Sequence, residues 1–183
     1  MNPRSLSRHF VAALLFSVSL IAATSAFGQA GTAGTSREEL LTAAREIMAT
    51  ARYAALITTG ANGRINARTM DPFAPTAEME IWFGTNPRSR KVRELRHDPR
   101  VTIYYVDPIA QAYVTIQGTA RLVNDPKEKA RRWKDEWKPF YSDREKGYLL
   151  IAVEPNRLEV INVKTGLTGD PNTWDPPTVT FRK

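Results

Sequence analysis

Cysteine is absent from this 183-residue chain, which excludes disulfides and thiolate-bound metals. Histidine is almost absent. Of the two present, His9 sits near the start and only His97 lies beyond residue 30, so a histidine-rich metal centre or a Ser-His-Asp triad has little to draw on. Long apolar runs are missing as well: the stretch from Phe10 to Ala23 falls short of the ~20 residues that a membrane span needs. Nor is there a long cationic run. The formal net charge is +7, but Asp and Glu are scattered through the chain, which argues against a nucleic-acid partner. No internal repeat and no low-complexity linker occurs.

What is present divides near residue 30. Arg4 and Arg8 precede the apolar run and small residues follow it, the pattern of a secretory signal peptide cleaved after Ala26 or Ala30. This reading makes residues 1–30 a leader and residues 31–183 a single domain. It places the mature protein outside the cytoplasm, secreted or periplasmic, with no stable membrane anchor; an uncleaved anchor is the alternative. Ser7-Arg8-His9-Phe10 lacks the second arginine of a twin-arginine export motif. Loss of Arg4 and Arg8 lowers the formal charge from +7 to +5. The roughly 150 residues that remain suffice for one domain with its own core.

Ser36 and Glu39 form a capping box, and Leu40, Leu41, Ala44, Ile47 and Met48 recur at helical spacing, which predicts a helix over about 36–50. Tyr53–Thr59 reads as a buried strand and Gly60-Ala61-Asn62-Gly63 as a hairpin turn. The return strand, about 64–71, sets Asn66, Arg68 and Met70 on one face and Ile65, Ala67 and Thr69 on the other. Glu78–Gly84 alternates, with Met79, Ile81 and Phe83 opposing Glu80 and Trp82. A short helix lies between Pro87 and Pro99. Strands Val101–Val106 and Tyr113–Val123 follow, the second interrupted by Gly118 as a candidate bulge. Asp125-Pro126-Lys127-Glu128 opens a second substantial helix, on which Trp133 and Trp137 lie four apart and pack it on the sheet. Leu149–Val153 and Leu158–Val163 are expected to pair across a turn at Glu154-Pro155-Asn156, with Thr178–Phe181 as a last strand. Trp174, in a proline-rich tail, is read as a plug for the end of the barrel, or else as a lid stacked on a bound ring. Short antiparallel strands with peripheral helices predict a mainly β domain, a small barrel or sandwich.

One stretch carries the functional argument: GTNPRSRKVREL, residues 84–95. Arg88, Arg90 and Lys91 crowd the start of the short helix, where partial positive charge makes cations unfavourable by roughly 0.3–1 kcal/mol each. With Ser89 as N-cap, the amides of Lys91 and Val92 stay free in the first turn. Free N–H groups, a hydroxyl and mobile cations together describe a phosphate site; solvated surface charge is the alternative. No group stands out as a general acid or base, and no metal centre is expected.

The segment Ile81–Tyr105, IWFGTNPRSRKVRELRHDPRVTIYY, resembles the flavin-phosphate region of the pyridoxamine 5'-phosphate oxidase-like superfamily, in its general-stress-protein branch. Thr85, Asn86, Ser89, Arg90 and Lys91 match that family's Thr-Asn-x-x-Ser-Arg-Lys spacing, and Asp98-Pro99 stands in for its Asn-Pro. Arg68-Thr69-Met70 is similar to its Arg-x-Met strand, and Tyr113–Gly118 with Thr119–Asn124 to its central barrel hairpin. The resemblance, over about 36–163, implies an antiparallel split β-barrel that binds FMN; FAD, a deazaflavin and haem are the alternatives on this fold. It implies Arg68, Ser89, Arg90 and Lys91 at the phosphate, with Thr69, Met70, Phe83 and Thr85 along the ribityl chain or ring. It also implies a homodimer with the cofactor in a groove between subunits. The substrate features of the true vitamin oxidase are not met: Asp71-Pro72-Phe73 stands where that enzyme has a lysine, and no histidine follows His97. The expectation is an exported FMN-dependent oxidoreductase acting on a small substrate, or a non-catalytic flavin- or haem-binding protein on the same fold.

Overall fold

The computed structural model describes residues 34–181; the proposed leader lies outside them. Helix α1 (Arg37–Ala51) opens on the capping box, with the Glu39 amide donating to Ser36 Oγ and the Ser36 amide to the Glu39 carboxylate. It buries Leu40, Ala44, Ile47 and Met48. Strands β1 (Ala54–Thr59) and β2 (Ile65–Met70) form a hairpin whose turn uses Gly63 at φ 76°. Then come β3 (Ile81–Thr85), α2 (Arg90–His97), β4 (Arg100–Asp107), β5 (Ala112–Val123), α3 (Pro126–Arg131), β6 (Leu149–Asn162) and β7 (Thr178–Thr180). Among the described residues, no helix is long and apolar enough to cross a membrane.

Every ladder is antiparallel, in the order β2-β1-β4-β5-β6-β3, with β7 beside β6. The ends of this path approach each other just past β2, where Pro72 makes a single bridge to Phe83 and the Phe73 amide donates to Trp82 O at 2.9 Å. One bridge is not a ladder, so the sheet stays open there as a split barrel. The main core contains α1 residues with Leu56, Phe83, Ile103, Ile116, Ile151 and Leu158. A second cluster holds Trp82, Trp137, Tyr148, Leu150 and Ala152. Strand β6 therefore has Ile151 and Val153 in one core and Leu150 and Ala152 in the other. That is why Leu149–Val153 is a continuous apolar run rather than an alternating one. At the other end of the molecule, Arg37 donates to Thr180 O (2.9 Å) and lies over the Phe181 ring, tying the start of α1 to β7.

Several expectations are corrected. Leu149–Val153 and Leu158–Val163 are not two strands across a turn; 149–162 is one strand. Pro155 is accommodated because it pairs with Gly118 at a bulge in β6, where Gln117 pairs with Arg157, Gly118 with Pro155, and Asn156 between them is unpaired in this ladder. The segment 113–124 is not a hairpin: through Val123 it belongs to one long strand, paired with β4 on one side and β6 on the other. Strand β3 begins at Ile81, since Met79 sits at φ 66° and its amide closes a turn onto Thr76 O. Helix α3 has six residues and stops at Arg131. Trp133 follows it, and Trp137 belongs to a 3-10 turn, Asp135–Trp137. The two indoles meet edge to face across this break, with centroids 6.4 Å apart, inside the second cluster. Trp174 plugs nothing in this chain, being 84% exposed.

At Gly118 an added Cβ would lie 2.4 Å from Glu154 O and 2.8 Å from Val153 Cγ1. Gly118→Ala is expected to lower stability by about 1–3 kcal/mol, as overpacking does, read as a shift in the urea midpoint.

Candidate functional site

The turn from β3 to α2 is organised by Asn86. Its Oδ1 accepts from the Arg88 amide at 2.8 Å and its carbonyl from the Ser89 amide at 3.0 Å, which delivers Ser89 to the start of α2. Val92 and Leu95 then anchor the helix inward, both buried. Ser89 is the N-cap residue, but its side chain does not cap the helix; Oγ lies 3.3 Å from Thr85 Oγ1. The Val92 amide goes to Ser89 O at 3.2 Å, so of the two amides expected to be free only that of Lys91 lacks an intrahelical acceptor. Arg88 is exposed and stands outside the network described next.

Sequence reasoning missed the residue at the centre of this network. The buried Glu94 carboxylate accepts from three side chains, Thr58 Oγ1 (2.6 Å) and Arg68 (2.8 Å) on one oxygen and Asn66 Nδ2 (2.9 Å) on the other, and forms an ion pair with Arg90, whose Nε lies 3.2 Å from that second oxygen. Arg68 also donates to Leu56 O and Thr58 Oγ1. Glu94 lies four residues after Arg90, and that spacing was the available clue. Lys91 stands apart from the carboxylate, donating to Thr85 Oγ1 at 3.2 Å. Burial, and next the positive charge of Arg68, hold the Lys91 pKa below its ordinary value. Burial likewise lowers that of Arg68, against the pull of Glu94. Three cations face one carboxylate, an excess of two positive charges.

Beside these groups lies a cavity of about 310 Å³, lined by Thr69, Met70, Asp71, Gly84, Thr85, Asn86, Lys91 and the rings of Trp137, Phe140 and Tyr141. Four of the eight predicted site residues line it: Thr69, Met70, Thr85 and Lys91. Ser89 joins this wall through Thr85; Arg68 and Arg90 do not line it, but their charges act on Lys91, which does. Phe83 does not. It is fully buried in the main core, because in β3 it points opposite to Trp82 and Gly84. Gly84 matters instead: a Cβ there would lie 2.4 Å from the Trp137 ring and 2.6 Å from that of Tyr148. Asp71 fixes the aromatic side, accepting from Trp137 Nε1 (3.2 Å) and Lys134 Nζ (2.7 Å). The charge excess, the free first-turn amide and the hydroxyls of Thr85 and Ser89 fit a phosphate monoester dianion, and the apolar side of the cavity fits a flat ring.

The split barrel with this β3–α2 turn defines the class of protein. Residues 39–167 match the profile of the family described as pyridoxamine 5'-phosphate oxidase like. The chain belongs to that family. Among solved structures it is similar to a protein related to general stress protein 26 from Clostridium acetobutylicum, with a TM-score of 0.63 and 20% identity over 79% of this chain and 95% of that one. It is also similar to a pyridoxamine 5'-phosphate oxidase-related, FMN-binding protein from Nostoc punctiforme (TM-score 0.54, 15% identity, 83% and 99% covered). A haem-binding protein from Mycobacterium smegmatis shares the fold at a TM-score of 0.51 and 20% identity, over 75% of this chain and 56% of that one. Comparison with curated protein sequences finds no match.

Glu94→Ala is expected to destabilise the fold by about 3 kcal/mol, the lower end for breaking a buried ion pair, because the Arg68 side chain keeps 16% exposure; chemical denaturation measures it. The lowered Lys91 pKa sets a second expectation. In the pH window just below the ordinary value of 10.5, the unfolded chain holds more protons at this residue than the folded one. Lys91 therefore makes stability rise with pH there. Subtracting the stability–pH profile of Lys91→Met from that of the parent isolates this slope.

Proposed function

We propose that this protein is an exported, FMN-dependent oxidoreductase that acts on a small molecule. The observation that carries the reading is the excess of two positive charges at Arg68, Arg90 and Lys91 beside the cavity lined by Thr69, Met70 and Thr85. Lys91, Arg90, Ser89 and the first-turn amide of α2 would hold the phosphate. Arg68, already held by Glu94, would add its charge. Thr69, Met70, Thr85 and Asn86 would line the rest of the cofactor. Bound FMN would supply hydride or electron transfer; the protein's part is to bind and orient it and keep water from it. Three aromatic rings, Trp137, Phe140 and Tyr141, form the wall suited to that exclusion.

Export rests on the sequence pattern of residues 1–30. Homodimerisation rests on the outward sheet face, where Ile57, Ile65, Ala67, Tyr104, Val106 and Tyr113 share one side by register and Ile65 is 64% exposed. A second copy covering that face would also border Thr69. The second reading is a non-catalytic binder of flavin or haem, supported by the shared fold of the haem-binding protein. Stopped-flow reduction of the bound cofactor by NADH or NADPH separates the two: rapid reduction counts against the binder.

FMN titration of the purified chain is expected to give saturable binding and a flavin spectrum. The Arg90→Ala, Lys91→Ala pair removes two charge-assisted contacts and is expected to weaken binding at least about 100-fold. Arg144→Ala, which loses bonds to the Lys129 and Ala130 carbonyls and a cation–π contact with Trp133 but no group that lines the cavity, is expected to leave Kd unchanged. Absence of saturable flavin binding would remove this function.

A further inference from the structure

We propose that a second cavity, between the C-terminal end of α1 and segment 71–75, binds a small aromatic monocarboxylate through Arg52 and the hydroxyl of Tyr105. This cavity measures about 370 Å³, within the range of small-molecule sites. Met48, Phe73, Pro75 and the Tyr105 ring are among its walls, which suits a flat apolar body.

Two locally unfavourable features meet on these walls. Arg52 sits at φ 59°, ψ −52°, and the Tyr53 amide donates to Ala51 O at 2.6 Å, closing a γ-turn centred on Arg52. This positive-φ turn is rare and strained for a residue with a side chain; glycine would relieve it. Tyr105 is 1% exposed, and its hydroxyl has no hydrogen-bond partner among the described residues. A sealed, unpartnered hydroxyl forfeits its hydration without compensation. Burial also raises its pKa, which keeps it a neutral O–H donor. Local costs that converge on one cavity mark a site shaped for a ligand rather than for stability.

The charges select the ligand. Arg45 donates to the carbonyls of Thr76 (2.9 Å) and Ala77 (2.7 Å), and Lys134 is paired with Asp71 (2.7 Å). The guanidinium of Arg52 lies 5.1 Å over the Tyr53 ring and has no carboxylate partner among the described residues. Arg45 also lacks a carboxylate partner among the described residues, but its donors are engaged by the two carbonyls, which leaves the Arg52 guanidinium and the Tyr105 hydroxyl as donors for a single carboxylate. The two cavities share only Asp71 among their lining residues, and the proposal does not depend on the cofactor reading.

The test uses the purified chain, 1-anilinonaphthalene-8-sulfonate as fluorescent probe, and benzoate and benzyl alcohol as charged and neutral competitors. The expected result is saturable binding that benzoate displaces and benzyl alcohol does not. Arg52→Gly is expected to weaken probe binding about tenfold or more, and Tyr105→Phe by roughly three- to tenfold. In the absence of ligand, each variant melts at the same temperature as the parent or higher. Lys91→Ala leaves probe binding unchanged while weakening FMN. Unaltered probe affinity in both variants, equal displacement by benzyl alcohol, or lower melting temperatures for both variants would overturn the proposal.

Discussion

The Glu94 carboxylate is the constraint on which the rest of the site depends. Its three hydrogen-bond donors come from β1 and β2 and its second ion-pair partner, Arg90, from α2. The carboxylate therefore sets how the helix seats on the hairpin as well as where two arginines point. A buried ion pair contributes little net stability, because desolvation offsets attraction, but removing one partner is severe. Glu94 is best understood as fixing geometry. It holds Arg68 against β1 and leaves Lys91, one residue further along the helix than Arg90, without a carboxylate of its own. An arrangement that neutralised all three cations would be more stable and would have no electrostatic reason to attract a phosphate.

The second constraint is the two-sided burial of β3 and β6. One face belongs to the main core and the other to the cluster of Trp82, Trp137 and Tyr148. Gly84 lies where that cluster meets the cavity, and only a missing side chain lets the indole and phenol approach so closely. The aromatic wall of the site is thus an extension of a core. Trp137 and Tyr141 are held there by edge-to-face packing, and Trp137 also by its hydrogen bond to Asp71, while Phe140 is exposed.

Much of this was legible in the sequence, for identifiable reasons. The capping box at Ser36, the alternation in β2 and the Thr85–Lys91 string are local patterns, and local patterns survive into the fold. Arg68 and Lys91 were assigned to one site through a family resemblance, and the structure brings them together. What escaped was non-local. Glu94 reads as an ordinary surface acid until β1 and β2 supply Thr58, Asn66 and Arg68. Pro155 reads as a turn until Gly118 in the neighbouring strand makes room for it. Phe83 was assigned to the cofactor through the same resemblance, yet alternation along β3 turns it into the core. Trp133 and Trp137 fit helical spacing, but α3 ends before both, and their indoles pack into the second cluster from an irregular segment and a 3-10 turn.

The clasp between Arg37 and Thr180 has a bearing on biogenesis. The first helix finds its packing partners in β4 and later strands, and its final hydrogen bond at the opposite end of the polypeptide. Helix α1 therefore completes its packing only once those later strands are in place. Such long sequence separations slow folding.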